Sequence, residues 1–150
     1  MTAAAFAATR GDYELSDDPA RLDVDAIHAF LSGAYWSVGI PRETVARALA
    51  NSLAFALYHR GATVGFARFV TDRATFAYLA DVFVLPEFRG RGLAKWLLTC
   101  VLEHPELQGL RRWILGTRDA HGLYAKLGFT PLKRPDTFME RHDPNVYGGS

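Results

Sequence analysis

Between Leu53 and Val84 the hydrophobic pattern leaves helical spacing and becomes extended, and this stretch constrains the fold more than any other. Leu53–Tyr58, Thr63–Thr71 and Phe76–Val84 are rich in aromatic and β-branched residues. The turn segments between them, His59-Arg60-Gly61-Ala62 and Asp72-Arg73-Ala74-Thr75, are too short for a parallel crossover. The three runs therefore predict an antiparallel meander. Pro86, which has no N–H to donate to a ladder, closes the third strand.

On either side of the meander the spacing is mostly helical. Tyr13-Glu14-Leu15 reads as a short first strand that ends in the turn Ser16-Asp17-Asp18-Pro19. Asp23 or Asp25 caps a helix carrying Ile27, Phe30 and Leu31 on one face and stopping near Gly33. Tyr35-Trp36-Ser37-Val38-Gly39-Ile40 forms an aromatic loop. Pro41 then opens a second helix with Val45, Ala48 and Leu49 as its apolar face. Downstream, a helix runs from Gly92 to about Glu103, with Leu93, Leu97 and Val101 one turn apart. Trp113–Thr117 is a further strand, so this helix makes a β-α-β crossover and a parallel pair. Ala120–Leu127 is a short helix stopped by Gly128, and Thr130–Leu132 and Phe138–Glu140 supply final edge strands. The sum is an α/β (α+β-like) fold: one domain over residues 1–150, a mixed, mostly antiparallel sheet flanked by helices. Its ends near 1–10 and 143–150 are expected to be loosely ordered.

Composition narrows the classes of function. The chain has 150 residues, 49% of them hydrophobic and 22% charged, with a net charge of +1. A core is affordable at this length, and the even balance disfavours a nucleic-acid partner. The lone cysteine, Cys100, excludes an internal disulfide framework. His28, His59, His104, His121 and His142 are scattered without metal-ligand spacing, so no metal is expected. The alanine-rich start lacks a basic segment, and no apolar run approaches the ~20 residues that span a bilayer. The expectation is a cytoplasmic protein with no membrane partner.

Chemistry concentrates in Asp81-Val82-Phe83-Val84-Leu85-Pro86-Glu87-Phe88-Arg89-Gly90-Arg91-Gly92-Leu93-Ala94. A strand ends, a loop with two glycines and two arginines follows, and a helix begins. Glycines allow close backbone approach, and the first turn of a helix offers free N–H groups at the positive end of its dipole. With Arg89, Arg91 and Lys95 nearby, this is a site for an anion such as a pyrophosphate. Neither a nucleoside-triphosphate P-loop nor a dinucleotide-binding glycine fingerprint is present.

Arg89-Gly90-Arg91-Gly92-Leu93-Ala94 matches the Arg/Gln-x-x-Gly-x-Gly/Ala signature of the GCN5-related N-acetyltransferases, the GNAT family. Ala120-His121-Gly122-Leu123-Tyr124-Ala125-Lys126-Leu127-Gly128-Phe129 resembles the family's second signature, a tyrosine-bearing helix that ends in Gly-Phe. The two occur in the family's order, and the similarity covers most of the chain.

The resemblance implies a GNAT-like acyl-CoA acyltransferase fold, and acetyl-CoA as cosubstrate for acetylation of a primary amine by direct attack on the thioester. Backbone groups of Val82 and Val84 would then pair with the pantetheine arm. The N–H groups of Arg89, Gly90, Arg91, Gly92, Leu93 and Ala94 would hold the pyrophosphate. Tyr124 would face the sulfur as general acid, with a reference pKa of ~10 against ~8.5 for a thiol. An N–H in the distorted middle of the Phe76–Val84 strand would stabilise the oxyanion. Where the family often has an asparagine, this chain has Thr117; the Thr117 hydroxyl or Asp119 could substitute.

Asp81 stands in an otherwise apolar strand, on the face of Leu79 and Phe83 if the pleat is regular. It is either the base for the amine proton or a satisfied structural carboxylate. His121 is a weaker alternative base. Tyr35, Trp36 and Tyr78, with Arg68, are expected to wall the acceptor pocket. The acceptor expected is a small molecule, with a protein or peptide amine as the alternative, and a non-catalytic acyl-CoA sensor as the competing class. A homodimer, formed through exposed aromatics or an edge strand near Phe138, is a further expectation by analogy of fold.

Overall fold

The extended runs do form a meander, and it is the centre of a larger sheet. A computed structural model describes residues 5–148. The six strands are β1 (Ala7–Arg10), β2 (Tyr13–Ser16), β3 (Leu53–His59), β4 (Ala62–Thr71), β5 (Phe76–Val84) and β6 (Arg112–Leu115). They lie in sequence order across the sheet. Every neighbouring pair is antiparallel except β5 and β6, which are parallel. The helices are α1 (Val24–Leu31), α2 (Arg42–Ala50), α3 (Leu93–Leu102) and α4 (His121–Lys126).

Helices cover both faces, so the central strand is buried on both sides. In β3, Leu53, Phe55 and Leu57 pack with Leu97, Leu98 and Val101 of α3. Ala54, on the alternate face, packs with Ile27 and Leu31 of α1 and Val45 and Leu49 of α2. The small side chain there lets the two helices approach the sheet closely. Asp23, and not Asp25, caps α1: its carboxylate accepts from the Ala26 N–H at 3.0 Å.

Four expectations are corrected. The first concerns the chain start: Ala7–Arg10 is a strand, paired to β2 across the Gly11-Asp12 turn. The Asp17 carboxylate helps to anchor this hairpin, accepting from the Phe6 N–H at 2.7 Å and from Nε2 of buried His104 at 2.8 Å. Residues 1–4 and 149–150 lie outside the described residues.

The second is the pleat of β5. Asp81 has φ = 56° and the register against β4 jumps by one residue beside it, which is a β-bulge. Ala77 and Leu79 therefore face the α3 side while Phe83 faces the α1 side, and Leu79 and Phe83 do not share a face. Phe83 stacks on Phe30 of α1 at 4.0 Å between ring centroids.

The third is β6, which stops at Leu115, two residues before the expected end, because its partner strand turns away at the bulge. The fourth is the pair of final edge strands: neither Thr130–Leu132 nor Phe138–Glu140 is a strand. Pro131 removes a donor, and Pro135 begins a 3-10 turn over Pro135–Thr137. Phe138 lies instead under the Arg112 guanidinium, 5.1 Å from the ring centroid. No helix among the described residues is long and apolar enough to cross a membrane.

Candidate active site

The pairing register itself opens the site. Parallel partners run from Phe76–Arg112 to Leu79–Leu115 and then cease, while β5 continues to Val84. Beyond Leu79 the two strands part as a fork. The Leu85 N–H donates to the Val64 carbonyl of β4 at 2.8 Å. By the two-residue alternation of a strand, the N–H groups of Val82 and Val84 point away from β4, into the fork.

At the far end of β5 the backbone is equally open. Gly90 and Gly92 have φ of 80° and 73°, the left-handed region that a residue with a Cβ rarely adopts. Gly92 caps α3 without a side chain, and the first hydrogen bond of the helix runs from the Trp96 N–H to the Gly92 carbonyl. From Gly90 through Lys95 no backbone N–H has an acceptor among the described residues. Free donors at the positive end of a helix dipole are chemically suited to an anion. The arginine side chains are partly committed. The Arg89 Nε donates to the Val84 carbonyl at 2.9 Å, bracing the loop against the strand. Arg91 donates to the Tyr13 hydroxyl at 3.0 Å and to the Glu87 carbonyl at 3.3 Å.

In the crotch of the fork lies a cavity of about 390 Å³. It gathers Asp81 and Val82 from β5, Thr117 and Asp119 from the segment after β6, Tyr124 from α4, and the walls Tyr35, Trp36 and Tyr78. With Arg68, which also lines it, nine residues singled out from the sequence thus meet in one place. Val84 and the Arg89–Ala94 loop do not line it; they continue the fork toward the helix start. His121 is exposed outside the cavity.

Tyr124 is held by the end of its own helix. Gly128, at φ = 95°, lets the Phe129 N–H return to the Tyr124 carbonyl at 3.1 Å, and the Phe129 ring stands edge-on to the tyrosine at 5.8 Å. The Thr117 hydroxyl oxygen accepts from the Ala120 N–H at 3.1 Å and so sets the start of α4. Tyr124 is only 9% exposed, yet its hydroxyl makes no hydrogen bond with a described residue. Because no fully buried polar side-chain atom among them lacks a partner, that hydroxyl keeps contact with the cavity. Burial, with a smaller contribution from Tyr35, pushes the phenol above its usual value of 10.0.

Asp81 is a junction. One oxygen accepts from the Trp36 Nε1–H at 2.9 Å, the other from the Arg68 Nε at 2.8 Å. Arg68 also donates to the Ser52 hydroxyl at 3.1 Å. The aromatic loop between α1 and α2 is thereby tied to the bulge. A second tie is the Arg118 guanidinium, 3.9 Å from the Tyr35 ring centroid.

Three contributors were not singled out from the sequence: Arg118, Arg10 and Tyr147. Arg118 stands between Thr117 and Asp119, both already singled out, so its position was available as a signal. Arg10 follows an alanine-rich stretch with no periodicity. Tyr147, in a tail read as frayed, lines the cavity, and its carbonyl lies 3.6 Å from where a Cβ on Gly39 would stand.

The acetyltransferase (GNAT) family model matches residues 22–129. A candidate acetyltransferase of Gibberella zeae is 39% identical over 141 residues, 79% of this chain and 78% of its own length. The crystal structure of a candidate GNAT-family acetyltransferase from Xanthomonas campestris pv. campestris superposes with a TM-score of 0.89 at 51% identity, covering 91% of this chain and 97% of that one. Glucosamine-6-phosphate N-acetyltransferase of Arabidopsis thaliana, at 13% identity, shares the fold with a TM-score of 0.60 over 87% of this chain and 97% of its own.

Proposed function

Because this chain belongs to the GNAT family of acetyltransferases, we propose that it transfers the acetyl group of acetyl-CoA to the nitrogen of a small primary amine. The observation that carries this reading is the fork between β5 and β6. Unsatisfied N–H groups lie at one end of it, and an aromatic cavity with the Tyr124 hydroxyl lies at the other. From Ala80 to Val84 the strand spans about 13 Å at ~3.3 Å per residue. A long, thin ligand with phosphates at one end and a reactive group at the other suits that shape.

The residues fit such a cosubstrate. Free N–H groups from Gly90 to Lys95 would take the pyrophosphate, and the fork-facing N–H groups of Val82 and Val84 would pair with the amide-bearing arm. When bound, acetyl-CoA supplies an activated thioester carbonyl. The amine nitrogen would bond to that carbon as the carbon–sulfur bond breaks; the departing sulfur would take one proton, and the proton shed by the acylated nitrogen would pass to solvent water, which reprotonates the donor. Tyr124 is the donor of the proton that the sulfur takes. Burial keeps its phenol protonated at neutral pH, and the same burial raises the proton affinity of a thiolate beside it.

The amine must arrive neutral, whereas a simple alkylamine has a pKa of ~10.4 in water. Tyr35, Trp36, Tyr78 and Tyr147 form walls that attract an ammonium by its charge and favour the neutral amine once water is displaced. Asp81, with both oxygens already accepting hydrogen bonds, orders the acceptor loop. It can accept the amine proton only by sharing one of those bonds. The modest, ring-lined cavity favours a small acceptor with an apolar body.

Calorimetric titration with acetyl-CoA, followed by thiol release with small amines, lysine peptides and aminoglycosides, tests the proposal. Saturable binding and turnover on small amines are expected. No binding would overturn it. Turnover on peptides alone would favour protein acetylation, and binding without turnover on any amine would favour the sensor reading.

A further inference from the structure

We propose that Arg10, on the N-terminal hairpin, is a cofactor-binding residue that grips a phosphate of coenzyme A. The proposal rests on the acetyl-CoA reading above and extends it to a part of the chain that the family match does not reach. That match begins at residue 22, whereas the hairpin occupies residues 7–16.

The hairpin is drawn up to the glycine loop. Its turn brings Arg10 opposite Tyr13, and the Tyr13 hydroxyl accepts from Arg91 of the loop at 3.0 Å. Tyr13 also stands edge-on to Phe88, at 6.4 Å. Arg10 Nη1 consequently lies 3.9 Å from where a Cβ on Gly92 would be, directly beside the cap of α3.

Of the arginines around this helix start, Arg10 is the uncommitted one. Arg89 is folded onto the Val84 carbonyl, and Arg91 is held by Tyr13 and Glu87. Arg10 makes no side-chain hydrogen bond or ion pair with a described residue. The neighbouring carboxylates are engaged elsewhere, Asp12 by Arg60 and Glu14 by Arg21. An exposed guanidinium left unpaired beside a run of free N–H groups has the charge and the paired donors that a phosphate needs. Gly92 also matters here: any side chain at that position would grow toward Arg10 and into the space a phosphate would use.

The experiment is calorimetric titration of the wild type, Arg10→Ala, Arg10→Lys and Thr9→Ala with coenzyme A and with dephospho-coenzyme A, each variant's melting temperature being measured alongside. Arg10→Ala should weaken coenzyme A binding about 5- to 20-fold at low salt, with the gap narrowing as salt rises. Its melting temperature should be unchanged. Arg10→Lys should recover part of the loss, and Thr9→Ala, exposed on the same strand, should bind normally. A loss seen with both ligands places Arg10 on the pyrophosphate, and a loss confined to coenzyme A places it on the ribose phosphate. Unaltered affinity in Arg10→Ala, or an equal loss in Thr9→Ala, would overturn the proposal. A wild type that binds neither ligand would instead overturn the acetyl-CoA reading.

Discussion

Asp81→Asn removes one negative charge from the site and changes almost nothing else, which makes it the most informative single perturbation of this protein. Asn tolerates the left-handed backbone at φ = 56° about as well as Asp, so the bulge survives. The amide oxygen can still accept from Trp36. What is lost is the partner of Arg68, whose Nε would face an amide N–H₂. The two side chains are 18% and 11% exposed, closer to a buried pair than to a surface one. Surface pairs are worth at most about 1 kcal/mol, whereas removing one partner of a buried pair costs about 3–5 kcal/mol. A loss of about 2–3 kcal/mol is therefore expected. Divided by a typical urea slope of about 1–3 kcal/mol/M, this lowers the unfolding midpoint by about 0.7–3 M. Adding Arg68→Met removes the stranded guanidinium, so the double variant should be more stable than the sum of the single losses, with a coupling of about 1.5 kcal/mol or more. Urea titrations of the four proteins measure this. Additivity within about 0.5 kcal/mol would refute the pairing argument. Kinetics on the same proteins separate the two roles of Asp81. A positioning role raises KM for the acceptor and leaves kcat close to wild type. A base role lowers kcat by about 10²-fold or more in Asp81→Asn.

Three further outcomes follow from the geometry. Tyr124→Phe should lower kcat by about 10²-fold while acetyl-CoA still binds, and turnover within a factor of two of wild type would remove the acid role. Because burial raises the phenol above 10.0, its stabilising contribution is complete below about pH 10 and is lost as pH rises through the folded value. A fall in kcat near pH 8 that vanishes in Tyr124→Phe would contradict that burial. Gly65→Ala should cost about 1–3 kcal/mol and weaken acetyl-CoA binding. Its Cβ would stand 3.1 Å from two carbons of Leu57 and 3.2 Å from the Phe83 carbonyl oxygen, against the strand that forms one arm of the fork. An unchanged urea midpoint would show that the sheet relaxes at no cost.

The readable parts of the sequence are those in which local chemistry dictates local shape. Alternating aromatic and β-branched residues bounded by short turns can only make a meander, and Gly90, Gly92 and Gly128 mark backbone that other residues avoid. Together with Tyr124 they mark both ends of the candidate site. Tertiary structure decided what depends on residues far apart in the chain. The bulge at Asp81 has no signature in its neighbours. It arises where β5 leaves β6 and one carboxylate meets Arg68 and Trp36 together, and it reverses the faces of Leu79 and Phe83. Arg10 and Tyr147 come from ends whose composition suggested disorder. Each is placed by contacts that no single segment encodes, β1 on β2 at one end and the tail over Gly39 at the other. The motif residues were legible because glycine and proline act on their own backbone. The charge pairs and the termini were not, because their conformations are set by partners that only the folded chain brings within reach.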